Sequence, residues 1–249
     1  MNSPLRNTLR RRAALGAIGG AILVAAGAGY FTGPAPVSAA EGAVIIPAPA
    51  LDQTNPSDGL ETAIFAGGCF WGVQGVFQHV IGVDSAVSGY AGGTTVDPSY
   101  KDVLTETTGH AESVQVTFDP KQVTYGKLLQ IFFSVIHDPT TLNYQGNDHG
   151  PSYRSALFTL GDEQKAVAEA YIDQLDATGK FPAKIVTEVT PFTNFFAAED
   201  YHQDNATTLN VNAGYVRYWD LPKIANLQAV FPEVWREEPK LVFAANAAS

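Results

Sequence analysis

A change of hydrophobic period at one point constrains the fold more than any other feature of this chain. Leu60 to Ala66 is an apolar run that stops at Gly67-Gly68, the pattern of a buried strand ending in a turn. From Phe70 onward the period is helical, with Val73, Val76, Phe77 and Val80 on one face. Cys69, the one cysteine in the sequence, therefore stands where a strand gives way to a helix N-terminus. Free N–H groups and the positive end of the helix dipole favour a thiolate there, an effect of about one to several pKa units. Gly67, Gly68 and Gly72 keep side chains away from an approaching group. Phe70 and Trp71 cannot both face inward on one helix, so at least one is expected to line the thiol's surroundings as part of an apolar pocket. Taken alone, Cys69 also fits a small buried apolar residue.

The remaining pattern alternates strands and helices. Val83 to Ser88 reads as a second strand, followed by a glycine-rich turn at Gly89-Tyr90-Ala91-Gly92-Gly93. Glu112, Val114, Val116 and Phe118 alternate with polar residues as a third strand ending at Asp119-Pro120. Thr124 is placed to cap a helix through Leu128, Leu129, Phe132 and Val135. His137 to Tyr153 reads as a long loop, a length usually tied to function. A strand over Ser155–Leu160, a helix over Asp162–Thr178 closed by Gly179, and a strand over Lys184–Thr190 complete the order βαββαβ, with an extra helix near the end. This order predicts an α+β fold, a ferredoxin-like two-layer α/β sandwich with long functional loops and a C-terminal extension.

Before this part, Arg10-Arg11-Arg12 precede an uncharged stretch from Ala13 to Phe31 and the small residues Ser38-Ala39-Ala40. Residues 1–40 are read as a signal peptide of twin-arginine type, which predicts export to a bacterial periplasm. The rival reading is an uncleaved membrane anchor. Residues 41–59, rich in proline and small polar residues, are expected to form a flexible or extended linker, and 60–249 a single catalytic domain. With 45% hydrophobic and 11% aromatic residues the chain can bury a full core. Removing the four cations Arg6, Arg10, Arg11 and Arg12 takes the net charge from −10 to −14. That balance argues against nucleic acid as a partner, and against an anionic membrane once the signal is cleaved.

Gly68-Cys69-Phe70-Trp71-Gly72 resembles the signature of the methionine sulfoxide reductase A family. The resemblance continues in family order through Gly89-Tyr90-Ala91-Gly92-Gly93, Pro98-Ser99-Tyr100, Gly109-His110-Ala111-Glu112, Gln145-Gly146-Asn147-Asp148-His149-Gly150, Tyr153-Arg154-Ser155 and Ala198-Glu199-Asp200-Tyr201-His202-Gln203. Leu221-Pro222-Lys223-Ile224 resembles one of its C-terminal variants. The resemblance implies that Cys69 attacks a sulfoxide sulfur, that Glu112 donates the proton to the leaving oxygen, and that Cys69 becomes a sulfenic acid. It further implies Tyr100 and Tyr153 as phenols bonding the sulfoxide oxygen, Asp148 as an organiser of water or of the sulfenic acid, and Phe70 with Trp71 as a methyl pocket. The implied substrates are oxidised proteins or free methionine sulfoxide in the S configuration. Reversal of methionine oxidation by such reductases is the standard repair route for this lesson in side-chain chemistry.

Many family members carry a second, resolving cysteine, and this chain has none. Recycling is then expected to need an external thiol, thioredoxin-like, glutaredoxin-like or small, with no bound cofactor. His110, His149 and His202 match no usual zinc spacing, so no metal is expected. In isolation Glu112 also fits a surface charge opening a strand, Tyr100 and Tyr153 loop packing, Asp148 a turn, and His79 a solvated helix position. Two other classes fit a lone reactive thiol: a cysteine hydrolase or acyltransferase with a His partner, and a thiol-redox sensor or binding module for oxidised-methionine peptides.

Overall fold

The computed structural model describes residues 42–54 and 57–243; the expected signal peptide lies outside them. β1 (Glu61–Gly67) leads into α1 (Phe70–Gln78), then come β2 (Val83–Ala91), the short α2 (Tyr100–Val103) and β3 (Ala111–Phe118). α3 (Tyr125–Ile131), a small hairpin of β4 (Tyr144–Gln145) and β5 (Asp148–His149), and β6 (Ser155–Thr159) follow. α4 (Asp162–Thr178), β7 (Glu188–Pro191), β8 (Phe195–Ala197) and α5 (Leu221–Val230) complete the order.

The sheet runs β7-β6-β1-β3-β2-β8. Its inner strands, β6-β1-β3-β2, are antiparallel at every pairing, which is the arrangement of a ferredoxin-like βαββαβ core. β7 adds a parallel edge through the α4 crossover, and β8 an antiparallel edge beside β2. The two-residue period of β1 divides the core between the sheet's faces. Phe65 points to the helical face, its ring 4.7 Å from Phe77 of α1, 5.3 Å from Phe132 and 6.2 Å from Tyr125 of α3. Ile64 and Ala66 point the other way, into a smaller cluster with Ala91, Ala111, Ala156 and Phe158 that Phe192 and Phe195 cover. Each fully buried ring of this kind contributes about 1.5–3 kcal/mol, so the strand that delivers Cys69 is held firmly on both sides.

Several expectations are corrected by the structure. Residues 42–54 are extended but not a free linker. Ile46 is buried, Val44 exchanges hydrogen bonds with Ser134, Tyr171 Oη donates to the Pro47 carbonyl, and Asp52 accepts from Thr124 Oγ1 and the Gly126 N–H at the start of α3. The segment supplies apolar side chains and acceptors that α3 and α4 lack on their own. The helix capped by Thr124, whose Oγ1 accepts from the Lys127 N–H, changes to a π turn over Phe132–Ile136. The strand expected from Lys184 pairs with β6 only from Glu188, because the Ile185 amide donates to Asp176 and that of Val186 to Pro139. The loop from His137 to Tyr153 contains the β4–β5 hairpin and a 3-10 turn over Pro151–Tyr153. His79 is buried instead of solvated, stacked on Trp235 at 4.5 Å with Nδ1 against the Arg236 carbonyl.

Candidate active site

Cys69 is the N-cap residue of α1 (φ −53°, ψ 121°), reached through Gly68 at φ +85°. That left-handed conformation suits glycine. A Cβ on Gly68 would also lie 2.7 Å from the Gln145 Cβ, so the β4 strand closes directly over the turn. Gln145 in turn bonds Asp138 and Thr141 with its side chain, fixing the loop.

The thiol is buried. The helix-start position alone predicts a lowered thiol pKa, and the structure reverses that sign. Burial pushes the thiol well above its ordinary 9.0, and the nearby Asp220 and Glu112 push it in the same direction. The Trp71 amide at the start of α1 acts in the opposite direction, but one amide does not offset a desolvated thiolate among acids.

Glu112, on β3, is a buried residue and not a surface charge. Its Oε2 accepts the N–H of Phe70 at 3.0 Å, which brings the carboxyl to the residue next to Cys69. Burial raises its pKa from 4.5 to about 8, so the carboxyl is neutral and carries a transferable proton near pH 7. Tyr100 opens α2 after a Ser99 capping box, and its backbone N–H donates to Glu199, which also accepts from Tyr90 Oη. The hydroxyls of Tyr100 and Tyr153 are close enough to influence each other's ionisation. Burial, reinforced by Glu112, holds Tyr100 up at about 12 and Tyr153 higher still, so both stay protonated donors. Tyr153 ends the 3-10 turn, anchored through Ser152, whose N–H and Oγ both bond Glu106.

Asp148 lies on β5 and accepts from Tyr215 Oη. The electrostatic influence of Asp148, Tyr100 and Tyr153 converges with that of Cys69 and Glu112 on one space. The two aromatics of the motif divide their roles. Phe70 is 1% exposed, its ring packed near Tyr90 and His202. Trp71 is half-buried on the open side, edge-on to Tyr215 at 5.9 Å, its Nε1–H donating to His202 Nδ1 at 3.1 Å. The seven residues singled out in the sequence are thus brought together around the first turn of α1.

Two members escape a reading of the sequence. Tyr215 and Asp220 sit far along the chain from Cys69, with no pattern of their own, although Asp220 directly precedes the Leu221-Pro222-Lys223-Ile224 run. Asp220 is fully buried at the N-terminus of α5, and neither carboxyl oxygen has a hydrogen-bond partner among the described residues. An unsatisfied buried acceptor costs about 1–3 kcal/mol. Burial raises its pKa from 3.8 to about 7, against the lowering effect of Lys223.

Among the described residues no imidazole is hydrogen-bonded to Cys69. His137 spends Nδ1 on the Phe132 carbonyl and Nε2 on Ser155 Oγ, and His202 accepts from Trp71. Among the described residues no group of three or more His, Cys, Asp or Glu side chains is arranged to hold a metal ion.

The family model for peptide methionine sulfoxide reductase matches residues 61–234. The chain belongs to the peptide methionine sulfoxide reductase family. The peptide methionine sulfoxide reductase MsrA 2 of Mesorhizobium japonicum is 57% identical over 188 residues, covering 76% of this chain and 96% of that protein. The MsrA 2 of Synechocystis is 48% identical over 193 residues, covering 76% and 89%. Among solved structures, reduced Mxr1 from Saccharomyces cerevisiae aligns with a TM-score of 0.55 at 31% identity, over 68% of this chain and 97% of that one. The methionine sulfoxide reductase A of Corynebacterium diphtheriae aligns with a TM-score of 0.52 at 34% identity, over 68% and 88%. Like its family, the protein is an enzyme that reduces methionine sulfoxide to methionine by thiol chemistry and so repairs oxidised protein, with a single cysteine to do it.

Proposed function

We propose that Cys69 is the nucleophile and Glu112 the acid of this reductase. The observation that carries the assignment is a neutral, buried carboxyl bonded to the Phe70 amide, next to the buried thiol. Sγ attacks the electron-poor sulfoxide sulfur while Glu112 protonates its oxygen; methionine leaves and Cys69 is left as a sulfenic acid. The Tyr100 and Tyr153 hydroxyls bond the sulfoxide oxygen and polarise it before attack. Trp71 and Phe70 bound the pocket for the substrate methyl group, and Asp148 with Tyr215 orders water or the sulfenic acid. The S epimer is the one reduced. The closed thiol environment, in which no imidazole among the described residues is hydrogen-bonded to Cys69, disfavours the hydrolase reading.

With one cysteine in the chain, the sulfenic acid is returned to the thiol by an external thiol, thioredoxin-like, glutaredoxin-like or small, through a mixed disulfide. The arginine, apolar and small-residue succession of the first 40 residues supports export to the periplasm. Mass spectrometry after reaction with excess S sulfoxide, without reductant, tests the chemistry. The expected product is one added oxygen or a dimedone adduct on Cys69, with one methionine released and the R epimer nearly untouched. Turnover in Cys69→Ser, or equal rates on both epimers, would refute the assignment.

A further inference from the structure

Sulfenic acid formation needs two opposite proton movements, and the assignment above supplies a group for only one. The sulfoxide oxygen gains a proton from Glu112. Cys69 must lose one, because the thiolate is the attacking form, and burial keeps this thiol protonated near neutral pH. Glu112 does not accept that proton while it holds its own. Tyr100 and Tyr153 are protonated donors; His137 has both ring nitrogens hydrogen-bonded, and His202, whose Nδ1 accepts from Trp71, carries its proton on Nε2 and is no acceptor there.

Asp220 remains. It is 0% exposed, and both carboxyl oxygens are unbonded among the described residues, a state folded proteins rarely keep without a use for it. Its carboxyl is aimed at the first turn of α1: a Cβ on Gly72 would lie 2.5 Å from Oδ1. Cys69 caps that same turn, three residues before Gly72, and the Asp220 charge acts on the thiol more strongly than that of Glu112 or Asp148, so only a narrow gap separates the two groups. One water bridges such a gap.

We propose that Asp220 is the proton acceptor for Cys69, taking the thiol proton through one water as Sγ attacks the sulfoxide sulfur. The inference rests on Cys69 as nucleophile and Glu112 as acid. The S–H bond breaks and its proton goes to Asp220; an S–S bond forms to the substrate sulfur, and the Glu112 proton goes to the sulfoxide oxygen. The S–O bond then breaks, the hydroxide adds to Sγ, and the S–S electron pair returns to methionine. The substrate sulfur is reduced by two electrons and Cys69 oxidised by two. Return of the proton from Asp220 to Glu112 resets both groups, with no net proton consumed.

The groups facing Asp220 set its working range. Lys223 of α5 favours the carboxylate and Asp148 of β5 opposes it; Glu112 of β3, Cys69 of α1 and Tyr215 feel its charge. With Asp220 at about 7 and Glu112 at about 8, base and acid are both in their required forms in the window between those values.

The test compares Asp220→Asn with wild type in two assays from pH 5 to 9: single-turnover sulfenic acid formation, and alkylation of Cys69 by chloroacetamide. The expected result is a single-turnover rate lowered roughly 10²-fold, with loss of the acidic limb near pH 7. Alkylation should become faster at a given pH, because a neighbouring negative charge is gone. A purely structural residue would not move the two rates in opposite directions. Lys223→Met provides a second reading should Asp220→Asn fold poorly: the acidic limb should move to higher pH. Single-turnover rates in Asp220→Asn within twofold of wild type, or an acidic limb unmoved in Lys223→Met, would overturn the proposal. Glu112→Gln, run alongside, isolates failure of the acid assignment, since alkylation reports on the thiol and Asp220 without it.

Discussion

Glu112→Gln should stabilise the enzyme while disabling it, and the gain should grow with pH. In the folded state the carboxyl ionises only at about 8, against an ordinary 4.5, because burial disfavours the charge. A group whose folded pKa is raised favours folding least at high pH: the unfolded chain releases a proton that the native site retains, so stability falls as pH rises from 4.5 to 8. At 1.36 kcal/mol per unit, the wild-type penalty is about 1 kcal/mol at pH 5 and about 3 kcal/mol at pH 7, approaching 5 kcal/mol above pH 8. Glutamine keeps the shape and the acceptor for the Phe70 N–H but does not titrate, so the variant escapes that penalty. For a domain of this size 1 kcal/mol is worth about 2–4 °C in Tm. The variant should therefore melt roughly 6–12 °C above wild type at pH 7, with a much smaller gap at pH 5. Urea unfolding at pH 5, 7 and 8.5 measures the same quantity as a midpoint difference at constant slope. Single-turnover sulfenic acid formation should meanwhile drop by about 10²-fold or more. A stability difference that is flat or shrinks with rising pH would mean the native Glu112 is ionised, and would remove the acid from the mechanism.

The extended segment over residues 42–54 and the first turn of α1 give two further tests. Asp52→Ala removes acceptors for Thr124 Oγ1 and the Gly126 N–H, and should cost about 1 kcal/mol, as for a lost helix cap, with catalytic rates unchanged; a loss of activity without a shift in thermal midpoint would contradict this purely structural role. Gly72→Ala brings a Cβ to 2.5 Å from Asp220 Oδ1 and 3.2 Å from Lys223 Cδ. The overpacking cost of about 1–3 kcal/mol should exceed the helix gain of about 0.5–1 kcal/mol, so a urea midpoint above wild type would show that Asp220 yields freely.

The order of elements was legible in the sequence because each segment carries its own pattern: an apolar run stopped by glycines for β1, a period of two for β3, 3.6 for α1, and Gly179 closing α4 in a left-handed conformation. Boundaries shifted where amides found partners outside the ladder, as at Ile185 and Val186, since sequence pattern does not report long-range hydrogen bonds. The candidate site residues Cys69, Glu112, Tyr100, Tyr153, Asp148, Phe70 and Trp71 stood out because they lie in motifs. Tyr215 and Asp220 did not; their meaning comes only from the approach of α5 and the preceding turn to α1. The state of protons was likewise a tertiary property. A helix N-terminus read in isolation points to a thiolate, whereas enclosure of Cys69 with Glu112 and Asp220 in a poorly solvated space keeps the thiol and Glu112 protonated near neutral pH and holds Asp220 close to it. Sequence determined which groups are present and on which elements; burial, which depends on segments far apart in the chain, decided what charge they carry.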